Sequence, residues 1–190
     1  MDVLLFQRNQ KKDAPIDIKN EIKAIKDRFL ARVFTRHPRL LKRWAGKADV
    51  LTFADTPWTP LRQPVSKSRV ALITTGGAHH RFQCPFDMHN PEGDPSLREI
   101  AADTPASDLT ITHNYYDHTD ADRDINIVFP LERLQWLHQF GEIGSVNQRH
   151  FSFMGHITGG AIQTLNEVSA PAAAAALKHD GVDVVLLTPA

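Results

Sequence analysis

The sequence Arg69-Val70-Ala71-Leu72-Ile73-Thr74-Thr75-Gly76-Gly77 decides the fold class of this chain. It is a short, continuous apolar run that ends in a glycine pair, which is the pattern of a strand buried on both faces. Such strands are typical of parallel sheets that helices cover on both sides. A tight turn of the kind that leads from a strand to a helix is expected at the glycine pair, because glycine adopts backbone conformations that other residues avoid.

Strand and helix patterns alternate along the chain after this run. Strand patterns lie at 109–113, 143–153 and 182–187, and amphipathic or alanine-rich helix patterns lie at 130–140 and 170–180. Pro130 in the first turn and Gly141 after the last turn are usual helix start and stop residues. Strands and helices that alternate with short connections predict an α/β fold with a mostly parallel sheet and flanking helices.

A basic, helical arm precedes this α/β region. Apolar residues recur at helical spacing from Ile16 to Val33, and a second short helix is predicted at 38–44. Residues 1–50 contain 13 Lys and Arg but six Asp and Glu, whereas the whole chain has no net charge. The proline-rich segment 56–64 favours an extended linker. We therefore divide the chain into an arm, residues 1–55, and an α/β domain, residues 56–190, which is expected to be incomplete at its C-terminus.

The charge and hydropathy of the chain limit its partners. The arm lacks the interleaved aromatic residues and the reading motifs of nucleic-acid-binding segments, so we expect it to dock on the acidic domain of its own chain or of a second subunit. No apolar run approaches the roughly 18 residues that cross a bilayer. The acidic residue Asp2 stands where a secretory signal is basic. A cytoplasmic protein without a membrane partner is expected.

Cysteine and acidic residues exclude some kinds of site. The chain has one cysteine, Cys84, so it contains no internal disulfide and no CxxC pair, and a packing role is expected for this thiol. The acidic stretch 117–126 does not fit a calcium loop, because Ile125 and Leu131 stand where Gly and Glu are required. A zinc or iron site stays open, since three His or Asp ligands suffice for a catalytic metal.

Six segments of residues 56–190 carry recognisable motifs. In chain order they are Thr56–Pro60, Val70–His79, Gly93–Arg98 (Gly-Asp-x-Ser-x-Arg), His113–Asp117 with Asp124–Pro130, His150–Gly155 (His-x-x-Phe-Met-Gly), and Asp180–Thr188. Together they resemble one known family, selenoprotein B of the glycine, betaine and sarcosine reductases with the selenoprotein subunit of D-proline reductase. The first of these segments and the His-x-x-Phe-Met-Gly motif are nearer to the D-proline reductase subunit.

The resemblance implies a reductase that cleaves a carbon–nitrogen bond in an amino acid or amine. Electrons would come from an external dithiol or a thioredoxin-type protein, and no other cofactor is implied. In the family, a redox selenocysteine or cysteine follows the strand that matches 182–188. Here we expect that residue after Ala190, through a UGA codon read as selenocysteine, and we expect the 190-residue form to be inactive alone.

The polar residues of these motifs follow predicted strands and are therefore expected beyond the carboxyl ends of the sheet. His113 and His150 are assigned as acid or electrostatic partners of the nucleophile, because the pKa of imidazole lies near neutrality. The substrate-binding assignment comprises Arg98 as a carboxylate clamp, Asp124 and Asn126 as contacts of the substrate amine, and His79 after the first strand.

Other interpretations of the same residues stay open. Asp124 is also a common helix cap, Asn126 a common loop residue, and Arg98 a surface residue of a short helix that begins at 94–96. At the level of the whole chain, one alternative is a non-catalytic binding or scaffold half, which pairs with a Cys-bearing partner in a homo-oligomer or hetero-complex. The other is a His/Asp metalloenzyme built from histidines of the set His79, His80, His113, His118, His150 and His156.

Overall fold

The computed structural model of the protein describes residues 18–45 and 59–189. Its helices are α1 (Ile18–Arg36), α2 (Pro38–Ala45), α3 (Leu131–Gln139), α4 (Ala161–Thr164) and α5 (Ala170–His179), with a π-helical turn at Leu165–Ser169 between the last two. Its strands are β1 (Arg69–Thr74), β2 (Ala78–His80), β3 (Arg98–Ala101), β4 (Leu109–Ile111), β5 (Ser145–Val146), β6 (Arg149–Ser152) and β7 (Val184–Thr188). None of the helices in the described ranges combines the length and apolar character needed to span a bilayer.

The main sheet is built around β1, the apolar run of the sequence. This strand pairs in parallel with β5 and β6 along one side and with β7 along the other. The strand β3 adds to the far side of β6 in the antiparallel direction. The predicted α/β architecture, with a mostly parallel sheet and flanking helices behind an N-terminal helix, is confirmed.

Two details of the predicted elements are wrong, and one alternative interpretation is contradicted. The strand predicted at 109–113 ends at Ile111 and pairs with β2 in a separate two-stranded antiparallel sheet. The strand predicted at 143–153 is divided into β5 and β6, because Asn147 turns its side chain to the backbone of Arg149 and to Asp180. Arg98 begins the strand β3 and does not lie on a short helix.

The core lies on both faces of β1, as its continuous apolar sequence requires. On one face, Val70 and Leu72 pack in a cluster with Phe129 and Leu134. On the other face, Ala71 packs with Phe151 of β6, with Phe153 directly after that strand, and with Ala173 and Leu177 of α5. Leu72 is fully buried, and replacing such a leucine with alanine typically costs about 2–5 kcal/mol of stability. Burial on both faces fixes β1 as the centre of the domain.

The arm contributes two exposed helices. Ile22, Ile25 and Phe29 of α1 are each about 60% exposed, at 61%, 59% and 65%. Arg32 of α1 forms a long ion pair with Asp117, at 4.0 Å between Nε and Oδ1. The predicted boundary between arm and domain at residue 55, the segment 56–58 and the start of the arm lie outside the described residues.

Candidate active site

The carboxyl end of β1 makes a tight turn at the predicted glycine pair. Gly77 has φ = 71°, and a Cβ atom added to it would lie 2.5 Å from the carbonyl oxygen of Thr112. A Cβ atom on Gly76 would lie 2.9 Å from the Cβ of Val128. A side chain at either position would therefore clash, which explains why both residues are glycine. The close approach also places the segments that contain Thr112 and Val128 beside the end of β1.

Two threonines join the ends of β1 and β7. The hydroxyl of Thr74 donates to the carbonyl of Thr188 at 3.1 Å and accepts the N–H of Gly76 at 3.0 Å. The hydroxyl of Thr188 donates to the carbonyl of Val128 at 2.7 Å. The N–H of Thr75 donates to the Thr188 carbonyl at 3.1 Å. The end of β7 is therefore held at a defined position on the carboxyl edge.

These two threonines belong to a polar row that crosses the sheet. Strand register places Arg98 beside Ser152, Ser152 beside Thr74, and Thr74 beside Thr188. Paired residues on neighbouring strands project to the same face. The hydroxyl of Ser152 is buried and has no hydrogen-bond partner among the described residues. The row marks where the apolar core gives way to polar groups.

His113 lies at this edge with both ring nitrogens facing backbone N–H groups. The N–H of Tyr115 is 3.1 Å from Nδ1, and the N–H of Gly155 is 3.2 Å from Nε2. Desolvation by burial, with smaller contributions from His118 and His156, lowers the pKa of His113 to about 4. A neutral imidazole has one acceptor nitrogen, so it accepts one of these two N–H groups, and a second ring proton would set N–H against N–H at both contacts. The imidazole is therefore neutral at pH 7 and serves as a hydrogen-bond acceptor.

Tyrosines surround His113. The ring of Tyr116 lies 4.7 Å from that of His113, and its hydroxyl donates to the carbonyl of Gly76 at 2.9 Å. Burial raises the pKa of Tyr116, with a smaller contribution from Asp122, so its phenol stays protonated. Tyr115 stacks on His156 with 3.9 Å between ring centroids. The site thus carries aromatic and imidazole groups on one side of the β1 turn.

An apolar groove of about 670 Å³ opens beside this edge. We call it the β7 groove and define it by the sheet residues Ile73, Val185 and Leu187, the α5 residues Ala170 and Ala174, and Met154 and Gly155 after β6. Gly155 lines the groove and also offers its N–H to His113. The groove, His113 and the end of β7 therefore meet at one edge of the sheet.

Arg98 and His79 lie together on either side of Phe86. The Arg98 guanidinium stacks 4.2 Å from the Phe86 ring centroid, and the His79 ring lies 6.1 Å from that ring, edge to face. All five guanidinium N–H groups have protein acceptors, which are the carbonyls of Cys84, Pro85 and Leu97, the hydroxyl of Ser96 and the carboxylate of Asp94. The predicted carboxylate clamp stays a prediction, and it would require Arg98 to exchange some of these acceptors.

His79 is buried and has a defined tautomer. Its Nδ1 lies 2.9 Å from the carbonyl of His80, so Nδ1 carries the proton, and its Nε2 accepts from the hydroxyl of Thr112 at 2.8 Å. Desolvation by burial lowers the pKa of His79. The neutral ring connects β2 to the segment that leads to His113.

His150 lies deeper than the other predicted site residues. It is fully buried, its Nδ1 accepts the backbone N–H of Leu72 at 3.0 Å, and its ring lies 6.1 Å from that of Phe129. Its Nε2 has no hydrogen-bond partner among the described residues. Burial lowers the pKa of His150 to about 4. Its catalytic role stays a prediction, and the hydrogen bond from Leu72 gives it a structural role between β1 and β6.

Asp124 and Asn126 line a separate polar cleft of about 460 Å³. Asp124 caps the 3₁₀ turn at 125–127 by accepting the N–H of Asn126 at 3.0 Å, and it also accepts the Asn126 side-chain amide at 2.9 Å. The same amide group donates to Glu132 at 2.8 Å, while Oδ1 of Asn126 is buried and has no hydrogen-bond partner within residues 18–45 and 59–189. The turn leads directly to Val128, the acceptor of the Thr188 hydroxyl.

The structure thus gathers the predicted residues into separate groups. His113 is at the carboxyl edge, His79 and Arg98 share Phe86, Asp124 and Asn126 share the cleft, and His150 is in the core. The sequence interpretation missed Thr74, Thr188 and Tyr116, although all three lie inside quoted motifs. Within residues 18–45 and 59–189, no three His, Cys, Asp or Glu side chains are grouped closely enough to hold a metal ion.

Known proteins match the chain over the same region. The sequence model of the family described as glycine/sarcosine/betaine reductase selenoprotein B matches residues 47–190. The chain belongs to this family. The strands and motifs that meet at the carboxyl edge all lie within the region that matches the selenoprotein B family. No solved structure matches the chain significantly.

Two curated relatives show the extent of the match. The D-proline reductase subunit gamma of Acetoanaerobium sticklandii is 35% identical over 131 residues, which are 69% of this chain and 52% of the relative. The glycine reductase complex component B subunit gamma of Carboxydothermus hydrogenoformans is 27% identical over 145 residues, 72% of this chain and 31% of the relative. This selenoprotein B chain therefore spans about half the length, or less, of the curated relatives that it matches.

Proposed function

We propose that this chain forms the strand-and-loop part of the active site of a reductase subunit. The reaction would cleave a carbon–nitrogen bond of an amino acid or amine reductively, as the family's names and the resemblance suggest. The single observation that supports the proposal best is the end of β7. Thr188 is fixed there by hydrogen bonds to Thr74 and Val128, beside His113 and the β7 groove.

The redox group is proposed to follow β7. A selenolate or thiolate at that position would supply the nucleophile for carbon, and two electrons from an external dithiol, which ends as a disulfide, would complete the reduction. In the balanced reaction, a bond between carbon and selenium or sulfur forms as the C–N bond breaks, and the amine nitrogen leaves with its electron pair and takes a proton. The dithiol then breaks the new bond by attack on the selenium or sulfur, the carbon leaves with the electron pair and takes a proton, and closure of the disulfide regenerates the selenolate or thiolate. The protein's own part is to hold the end of β7 and to supply polar groups at the reacting atoms.

His113 is proposed as a proton-transfer and orienting group. With a pKa of about 4 it is neutral at pH 7, so it would act first as a base or acceptor and would need an anionic neighbour to become a cationic partner. A nearby selenolate or thiolate is such an anion. Asp124 and Asn126 are proposed for the substrate amine, because both offer oxygen acceptors and Oδ1 of Asn126 has no partner in the described part of the chain.

The proposal is tested with the protein expressed from its gene together with the DNA that follows, and purified with its co-purifying subunits. A UGA codon or a cysteine codon is expected within the first two codons after Ala190. D-proline, glycine, sarcosine and betaine are each incubated with dithiothreitol, and the C–N cleavage product is measured by mass spectrometry. Dithiol-dependent cleavage of one of these substrates is expected.

Two variants make the assay specific. His113→Asn keeps an acceptor for the N–H of Tyr115 but removes the ring, and a loss of about 100-fold in kcat is expected from a lost acid–base group. His89→Gln changes an exposed side chain outside the linings of the β7 groove and the polar cleft and is expected to leave kcat unchanged. Absence of cleavage for all four substrates, with a folded and selenium- or thiol-containing protein, would overturn the proposal.

The binding or scaffold half remains a second candidate. The names of both relatives describe subunits, and the present chain spans 52% and 31% of their lengths. A hetero-complex in which the redox residue belongs to another polypeptide would share the same edge of the sheet. In that case neither UGA nor a cysteine codon follows Ala190, and dithiol-dependent cleavage appears only after the second polypeptide is added.

A further inference from the structure

The strand β7 presents an open edge. It pairs with β1 along one side, and no strand pairs with its other side among the described residues. Val185, Leu186 and Leu187 are 38%, 41% and 65% exposed. Unpaired N–H and C=O groups next to exposed apolar side chains form a ready template for another strand, and natural proteins usually protect such edges with charges, prolines or covering elements. The edge of β7 carries none of these devices between Val184 and Thr188.

The β7 groove is the corresponding gap in the helix layer. The helix α5 covers β1 and β6 through Ala173 and Leu177. Strands lie about 4.8 Å apart and packed helices about 8–10 Å apart, so one helix covers roughly two strands. The small side chains of Ala170 and Ala174 face the groove and allow a neighbouring helix to approach closely. The groove therefore has the position and the apolar lining of a helix seat next to α5.

We infer that the β7 edge and the β7 groove are the docking site of one further strand–helix unit, contributed by the part of the reductase gamma polypeptide that this chain does not span. The strand would pair with β7 in parallel, and the helix would fill the groove. The length of a relative supports this choice of occupant, because the D-proline reductase subunit gamma is about twice as long as the region that matches this chain. The parallel direction follows from the pairing of β1 with β5, β6 and β7.

A second copy of this chain fits the site less well. Two copies related by a twofold axis would pair β7 with β7 in the antiparallel direction. The helix nearest to β7 is α5, which already packs on its own sheet through Ala173 and Leu177, so α5 of one copy is not free to fill the other's groove. Pairing of β7 with β7 alone would leave both grooves open to water along their apolar lining.

The test is a binding experiment that needs no catalysis, so its failure is distinct from failure of the proposed reductase function. The 190-residue chain is mixed with the part of the Acetoanaerobium sticklandii subunit that lies outside the match. Light scattering after size exclusion measures the stoichiometry, and hydrogen exchange with mass spectrometry measures amide protection. A 1:1 complex is expected, with new protection in β7 and on α5.

Two matched variants locate the contact. Leu187→Lys places a charge on the exposed edge and at the groove, and at least about a tenfold rise in Kd is expected because burying an unpaired charge is costly. Phe140→Lys changes a residue that is 79% exposed, beyond the end of α3 and outside the groove lining, and is expected to leave Kd unchanged. Circular dichroism checks that both variants fold.

Two outcomes would overturn the inference. One is the absence of a complex, or a complex whose Kd and β7 protection do not respond to Leu187→Lys. The other is a homodimer of the 190-residue chain with β7 already protected, which would assign the edge to a second copy.

Discussion

The guanidinium of Arg149 binds the carboxylate of Asp180 through two hydrogen bonds, from Nε to Oδ2 at 2.9 Å and from Nη2 to Oδ1 at 2.6 Å. This pair joins the start of β6 to the end of α5. Asn147 adds a third donor to the carboxylate at 3.0 Å. These contacts, with the Arg149 hydrogen bonds as the largest cause, hold the pKa of Asp180 well below its usual range.

Replacing this carboxylate should destabilise the domain. Asp180→Asn removes the charge and one of the two acceptor oxygens while all three donors remain, so a loss of about 2 kcal/mol in the free energy of unfolding is expected. Urea denaturation followed by circular dichroism measures it. Asp120→Asn is the matched control, because Asp120 pairs with Arg123 where both side chains are at least 75% exposed. A change below about 0.5 kcal/mol is expected there. Equal effects at the two sites would contradict the role given to Asp180.

Acid should weaken the fold through two buried imidazoles. His113 and His150 each have a pKa lowered to about 4, mainly by desolvation, whereas the unfolded chain has the ordinary value near 6.5. The unfolded state therefore binds more protons between these values, and stability falls as the pH drops from about 6.5 towards 4. A loss of about 2 kcal/mol for each imidazole is expected at pH 5, measured as the change in unfolding free energy from pH 8.

Substitutions separate these imidazoles from other acid effects. His150→Gln keeps an acceptor for the N–H of Leu72, and His113→Asn keeps one for the N–H of Tyr115. Each variant should lose about half of the decline in stability between pH 8 and pH 5. His89 is exposed, so His89→Gln should leave the decline unchanged. A decline that survives in the double variant would assign the acid sensitivity elsewhere.

Sequence patterns predicted more of the fold than of the candidate site. The apolar run at 69–75 predicted β1, because continuous apolar character is a property of the strand itself. The pairing direction of β4 depends on β2, which is only three residues long and has no periodic pattern to detect. The division of 143–153 depends on a contact between Asn147 and Asp180, which are 33 residues apart.

Site residues were harder to predict for the same reason. His113 was found because it lies in a motif, but its low pKa comes mainly from burial in the folded chain, with smaller contributions from His118 and His156. Thr188 is an ordinary strand residue in the sequence. Its importance arises from the carbonyl of Val128, a partner 60 positions away. Burial and long-range hydrogen bonds are properties of the folded chain, so local sequence patterns do not reveal them.

A glycine in the loop before β3 should tolerate no side chain. Gly93 has φ = 89°, and a Cβ atom there would lie 1.8 Å from the carbonyl oxygen of His156. Gly93→Ala must therefore displace the backbone after β6, and a loss of more than about 2 kcal/mol in unfolding free energy is expected. Gly141→Ala is the control, because Gly141 has φ = 74° but no atom within 4 Å of the added Cβ. Its expected cost is about 1 kcal/mol, from the backbone conformation alone. Similar melting temperatures for the two variants would contradict the clash.

Arg98→Lys should destabilise the protein although it conserves the charge. The Arg98 side chain is 7% exposed and its five N–H groups all reach protein acceptors, whereas a lysine has three donors on one nitrogen and lacks the planar group that stacks on Phe86. Several carbonyls of the 84–97 segment would lose their partners in a buried place, so a loss of about 3 kcal/mol is expected in urea denaturation. Arg123→Lys, at an exposed ion pair, should change stability by less than about 0.5 kcal/mol.

Proteolysis supplies a second readout of Arg98→Lys, because a released 84–97 segment should be cleaved faster in this variant than in the parent chain under native conditions. If Arg98→Lys keeps full stability and resistance, the guanidinium contacts are dispensable for folding, and the predicted carboxylate clamp becomes the better explanation of this arginine.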